Sequence, residues 1–124
     1  MYSHVTLGTA DPARAQAFYD ALLGSIGATR LMELDSFVLW GKSMDEPCIA
    51  STRPYDGGEA TYGNGTMVAL RFDGAGEVDA LHAKALELGG ADEGAPGSRG
   101  DGFYAAYFRD PDGNKLCAFT ITAG

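Results

Sequence analysis

Apolar and polar positions change rhythm several times along this chain, and each change marks an element. "HVTLG" alternates with a period of two and reads as a strand. The next segment, "DPARAQAFYDALLGSIG", repeats its apolar residues at helical spacing through Ala15, Phe18, Tyr19, Leu22, Leu23 and Ile26. Asp11 is the expected N-cap, Pro12 fits the first helical position, and Gly24 or Gly27 is the expected stop. Three short runs follow, "TRLMEL", "FVLWG" and "PCIAST", bounded by Gly, Asp, Ser or Pro, and these predict strands. After the Gly-rich connection "RPYDGGEATYGNG" the order repeats. "TMVALRF" predicts a strand and "GEVDALHAKALELGG" a helix with Val78, Leu81, Ala85 and Leu86 inward. "ADEGAP", "FYAAYFR" and "NKLCAFTI" predict three more strands, the last two joined by the turn Asp110-Pro111-Asp112-Gly113.

The two halves carry the same order. Val5 aligns with Val68 and Leu7 with Leu70, half a chain apart, each shortly before a helix that closes on glycine. The expectation is one α+β domain over residues 1–124, built from two βαβββ modules, about 1–62 and 63–124. Period-two alternation assigns faces. Val5, Leu7, Val68, Leu70, Leu116 and Ala118 face the helices, whereas His4, Thr6, Met67, Ala69, Cys117 and Phe119 face the other way. If the modules pair edge to edge into a curled mixed sheet, that second face lines a cleft able to enclose a ligand.

Composition narrows the partners. In 124 residues, 45% are apolar, and 17 acidic against 9 basic side chains give a net charge of −8. Such a charge repels phosphate backbones and anionic lipid, so no nucleic-acid or membrane partner is expected. No apolar run approaches the roughly 20 residues that span a bilayer, and "MYSHVTLG" reads as a strand rather than a leader; a cytoplasmic protein is expected. Cys48 and Cys117 lie far apart without Cys-x-x-Cys spacing, so free thiols are expected. The glycines of "YDGGEATYGNG" and "GSRGDG" do not link a strand to a helix as a phosphate loop does, and they read as mobile connections.

With "YSHVTLGTADPARAQAFYDALL", "GNGTMVALRF" and "FYAAYFRDPDGNKLCAF", the chain resembles the vicinal oxygen chelate superfamily, which includes glyoxalase I, bleomycin-resistance proteins and extradiol dioxygenases. The resemblance spans essentially the whole chain. It implies the glyoxalase/bleomycin-resistance/dioxygenase fold, commonly a homodimer, and in metal-dependent members a divalent ion held in the cleft by His and Glu. Carried over by position, the first-strand ligand matches His4. Where relatives have His in a "T-H-V-A-F" pattern this chain has Met67, and where they have Glu in an "N-K-I-E-A" pattern it has Cys117. The fourth position falls between Cys48 and Ala50, where no carboxylate stands.

A thioether and a thiol are poor substitutes for imidazole and carboxylate around a hard ion, so a divalent metal is disfavoured and no cofactor is expected. His, Met and Cys together suit Cu(I) better. Met67 reads as an apolar pocket filler, Cys117 as a small buried thiol, His4 as a hydrogen-bonding pocket residue, and His82 as structural. The resulting expectation is metal-free binding of a small apolar or aromatic ligand. Trp40, Met67 and Phe119 would supply contact area, and His4 and Thr6 the polar handles. Tyr55, Tyr62, Arg99 and Tyr104 are candidates for the cleft mouth. The alternatives are a metal-dependent lyase, isomerase or ring-cleaving dioxygenase, and a fold that serves only as a subunit interface.

Overall fold

A computed structural model describes residues 1–122. In chain order the elements are β1 (His4–Gly8), α1 (Pro12–Gly24), β2 (Thr29–Leu34), β3 (Phe37–Gly41), β4 (Cys48–Thr52), β5 (Val68–Arg71), α2 (Ala75–Glu87), β6 (Ala91–Ser98), β7 (Phe103–Arg109) and β8 (Lys115–Ile121). Each half forms its own four-stranded mixed sheet, in the orders β1-β4-β3-β2 and β5-β8-β7-β6. The first strand of each half pairs in parallel with the last, and the helix carries the chain from that edge strand to the strand at the opposite edge. The architecture is the expected α+β fold. The two sheets are not joined by strand pairing, however, and β1 and β5 are both sheet edges.

The duplication extends to register. Val5 pairs with Ile49, which pairs with Trp40; in the second half Val68 pairs with Leu116, which pairs with Phe108. These residues belong to one core that both helices share, together with Phe18, Tyr19, Leu22, Val78, Leu81 and Ala85. Asp11 caps α1 as predicted, its side chain accepting from the Arg14 amide at 3.1 Å, with Pro12 in the first turn. Helix α2 departs from expectation at one position. Its inward set is Val78, Leu81, His82 and Ala85, and Leu86 is exposed. His82 can be buried because its Nε2 lies 2.9 Å from the Asp92 carboxylate on β6, which satisfies the ring's polar edge.

The turn at residues 110–114 clasps the halves together. Asp110 accepts from the Tyr19 hydroxyl at 2.6 Å, from the Asn114 side chain at 2.9 Å, and from the Asp112 and Asn114 amides. Asn114 donates onward to the Gly8 carbonyl, and Asp112 receives Thr9 Oγ1, the Ala10 amide and Arg14. Burial pushes the Asp110 carboxyl above its ordinary pKa, and its hydrogen bonds from Tyr19 and Asn114 pull the other way. Gly113 takes a φ of 90°, a left-handed conformation that this tight turn needs and that glycine adopts without strain.

Candidate functional site

The helix-facing residues Val5, Leu7, Val68, Leu70, Leu116 and Ala118 all pack in or against the shared core, so their strand neighbours occupy the open faces of the two sheets. On the first sheet, register sets His4 beside Cys48, Thr6 beside Ala50, and Ala50 beside Leu39. Leu39, Cys48 and Ala50 are buried in a small separate cluster with Leu31 and Phe37. His4 and Thr6 remain exposed, the His4 ring standing edge-on to Phe37 at 6.1 Å with Nδ1 3.0 Å from Ser3 Oγ. On the second sheet Cys117 lies between Ala69 and Tyr107, and Phe119 between Arg71 and Ala105. Phe119 also packs on Phe103 at 5.2 Å. Met67, just before β5, is exposed.

The internal symmetry resolves the fourth position. Ile49 and Leu116 are equivalent by register, so Ala50 in β4 stands where Cys117 stands in β8. The places at which the superfamily would put a metal-binding side chain are therefore His4, Ala50, Met67 and Cys117. This set does not fit a hard divalent ion. Ala50 offers no donor and Met67 only a thioether. Cys117 is buried, and desolvation raises its thiol pKa, opposed by the Tyr107 hydroxyl, Arg99 and Lys115. Cys48 is no substitute: its thiol donates to the Glu46 carbonyl at 3.1 Å and is likewise raised by burial. Among the described residues, no group of three His, Cys, Asp or Glu side chains lies together as an ion would need.

Trp40 corrects the expected site. It is buried on the helix side, 5.5 Å from the Tyr19 ring, and its indole N–H donates to Asp20 on α1 at 2.8 Å. Central strand β3 is buried on both faces, so "FVLWG" reads as a continuous apolar run in which alternation carries no signal. Asp20 also holds Arg30, whose hydrogen bonds are the first cause of a lowered Asp20 pKa. Among the loop candidates, Tyr104 reaches Asp79 on α2 and Tyr62 packs over Arg109, while Tyr55 is fully exposed. Arg99 alone of these reaches the open face, 5.5 Å from the centre of the Tyr107 ring. Tyr107 and Lys115 were not singled out from the sequence. Lys115 stands two residues before Cys117 on β8, a spacing legible in the sequence, whereas Tyr107 lies directly across from Cys117, a relation only strand pairing shows.

A groove of about 820 Å³ lies where the unpaired edges of β1 and β5 face each other, lined by Val5, Ile26, Ile49, Val68, Leu70 and Phe72 among others. It takes in Ala69 and Cys48, but it opens on the helix side of the sheets and does not include His4, Thr6, Met67, Cys117 or Phe119. Within one chain, the open faces thus belong to two separate sheets.

A glyoxalase-like domain matches residues 4–119. The chain belongs to the glyoxalase-like domain family. Among solved structures, it is similar to a glyoxalase/bleomycin resistance protein from Albidiferax ferrireducens T118, at 38% identity and a TM-score of 0.87 over 97% of this chain and 98% of that one. A glyoxalase/bleomycin resistance protein/dioxygenase family enzyme from Burkholderia phytofirmans PsJN shares the fold at 20% identity and TM-score 0.79, over 97% and 98% of the chains. So does a lactoylglutathione lyase from Agrobacterium tumefaciens, at 20% identity and TM-score 0.72, over 97% and 92%. No curated protein matches the sequence. The family places this chain in the vicinal oxygen chelate superfamily. No helix among the described residues is long and apolar enough to cross a membrane.

Proposed function

We propose that this glyoxalase-like protein binds a small apolar or aromatic molecule without a metal, on the open faces of its sheets, and that it does so as a homodimer in which a second copy helps to close the cleft. The donor set carries the reading. Alanine, a thioether and a desolvated thiol stand where a chelate site needs imidazole and carboxylate, while Phe103, Tyr107 and Phe119 offer stacking area beside them. The Albidiferax relative, similar over nearly its whole length, is named a glyoxalase/bleomycin resistance protein. The unpaired edges of β1 and β5 and the exposed His4, Thr6 and Ala69 supply surface that a second copy would cover.

The test uses the whole chain and an uncharged probe, naphthamide, followed by amide-resolved NMR. Binding at about millimolar affinity or tighter, with shifts centred on Phe103, Tyr107 and Phe119, is the expected result. Calorimetric titration with Zn or Ni should show no stoichiometric uptake, and light scattering should return about twice the mass of one chain. One equivalent of tightly held metal, lost on His4→Ala, would overturn the metal-free reading in favour of a lyase or dioxygenase.

A further inference from the structure

The basic side chains of this acidic protein are not distributed at random over its surface. Arg14, Arg30, Lys84 and Arg109 each have a carboxylate partner. Among the described residues Lys42, Arg53, Arg71, Arg99 and Lys115 form no ion pair, although acidic side chains outnumber basic ones by 17 to 9. Arg99 and Lys115 reach the open face of the second sheet, and Arg71 stands at its β5 edge, where it also lines the groove. Register puts Arg71 beside Phe119, and Lys115 precedes Cys117 on the same face of β8. The Lys115 ammonium lies 5.4 Å from the centre of the Tyr107 ring and the Arg99 guanidinium 5.5 Å from it, so two cations flank one aromatic ring.

The backbone of β6 is built to hold one of them. Arg99, just beyond the end of β6, folds back along that strand and donates to the Gly97 carbonyl at 3.0 Å and the Ala95 carbonyl at 2.8 Å. It lies across glycines: a Cβ on Gly97 would come within 3.2 Å of Arg99 Nη1. A Cβ on Gly94 would meet Arg99 Nη2 at 3.3 Å and the Tyr107 ring at 3.0 Å. The strand's register shifts fall around these same glycines. A guanidinium fixed by two carbonyls and an aromatic ring, with no carboxylate among the described residues to neutralise it, is a preorganised cation awaiting a counter-ion.

The geometry points to an anionic ligand: a small planar apolar molecule with a carboxylate-type head group, its ring against Phe119 and Phe103 and its charge between Arg99 and Lys115, with Arg71 at the margin. This rests on the small-molecule reading of the open face and gives that ligand its charge. It also excludes a cationic ligand, since a positive charge would meet these side chains unfavourably.

Three probes of one shape test it: naphthoate, neutral naphthamide and cationic naphthylmethylammonium, titrated into the full-length protein by calorimetry and NMR. Naphthoate is expected to bind at least tenfold more tightly than naphthamide, and the cation more weakly than either. Arg99→Gln with Lys115→Gln should remove the naphthoate advantage, so that naphthoate and naphthamide bind the variant within twofold of each other. Naphthamide binding as tightly as naphthoate, with shifts still at Phe119 and Tyr107, would overturn the charge assignment and leave the binding reading intact. Failure of all three probes to shift those residues would overturn both. If inorganic phosphate alone bound as tightly as naphthoate, the apolar part of the assignment would be wrong.

Discussion

The two halves of this protein repeat a backbone but not a chemistry, and the pairs that register makes equivalent show the sharpest contrast on the open face, although buried Ser51 on the helix side also corresponds to Ala118. On the helix side Ile49 corresponds to Leu116, and Trp40 to Phe108, apolar for apolar. On the open side Leu39 corresponds to Tyr107, Ala50 to Cys117 and Cys48 to Lys115. The first open face is a small closed apolar cluster; the second carries a phenol, a thiol and cations that have no carboxylate partner among the described residues. Packing density explains the contrast. A close-packed core shared by both helices penalises any change of volume or polarity, whereas a face that no helix of the chain covers can change chemistry at lower cost to stability.

Truncation on the conserved side should have the largest effect. Trp40→Ala and Phe108→Ala should each cost about 3–5 kcal/mol in urea unfolding, similar to one another because the sites are equivalent. The loss at Trp40 includes its hydrogen bond to Asp20. A mild Trp40→Ala would break the correspondence between the halves.

The clasp between the halves comes next. Tyr19→Phe removes the hydroxyl that donates to Asp110 and should cost about 1–3 kcal/mol at neutral pH, because that bond is made to a charged acceptor. Its pH dependence has a definite sign. Burial raises the folded-state pKa of Asp110, so the stability this group contributes is full below its unfolded pKa and is lost as pH rises through the raised folded value. The Tyr19 hydroxyl opposes that loss by favouring the ionised carboxylate. Urea titrations at acidic and neutral pH should therefore show a smaller penalty for Tyr19→Phe in acid.

The smallest effect on stability, and the sharpest on binding, should come from making the second open face resemble the first. Tyr107→Leu with Lys115→Cys should change unfolding free energy by less than about 1 kcal/mol. The same pair should abolish the preference for naphthoate over naphthamide. A large loss of stability would mean that this face is a packing surface after all.

Local pattern was enough for much of this. Alternation and helical spacing placed both helices, the repeat and the helix-facing residues of β1, β5 and β8, because these elements are buried on one side and a one-sided environment imposes a period. The pattern failed where burial is two-sided or absent. Trp40 sits in a strand covered on both faces and was assigned to the wrong one. Strand β6, "ADEGAPGS", shows no apolar alternation, since its glycines make room for Arg99 and Tyr107 rather than for a core.

The sequence by itself determined the two-module plan, the acidic overall charge and the presence of Met67 and Cys117 where the resemblance expects His and Glu. Tertiary structure alone decided that Ala50 in β4 stands where Cys117 stands in β8, since register is a relation between distant strands that no local window contains. It also decided that the "RDPDGN" turn, the most distinctive motif of the chain, is a clasp: Asp110, Asp112 and Asn114 meet Tyr19, Thr9, Arg14 and Gly8 nearly a hundred residues away. The grouping of Arg71, Arg99 and Lys115 arose the same way. Their charges are plain in the sequence, but only the pairing of β5 with β8, of β8 with β7 and of β7 with β6 sets Arg99 and Lys115 on one face with Arg71 at its edge.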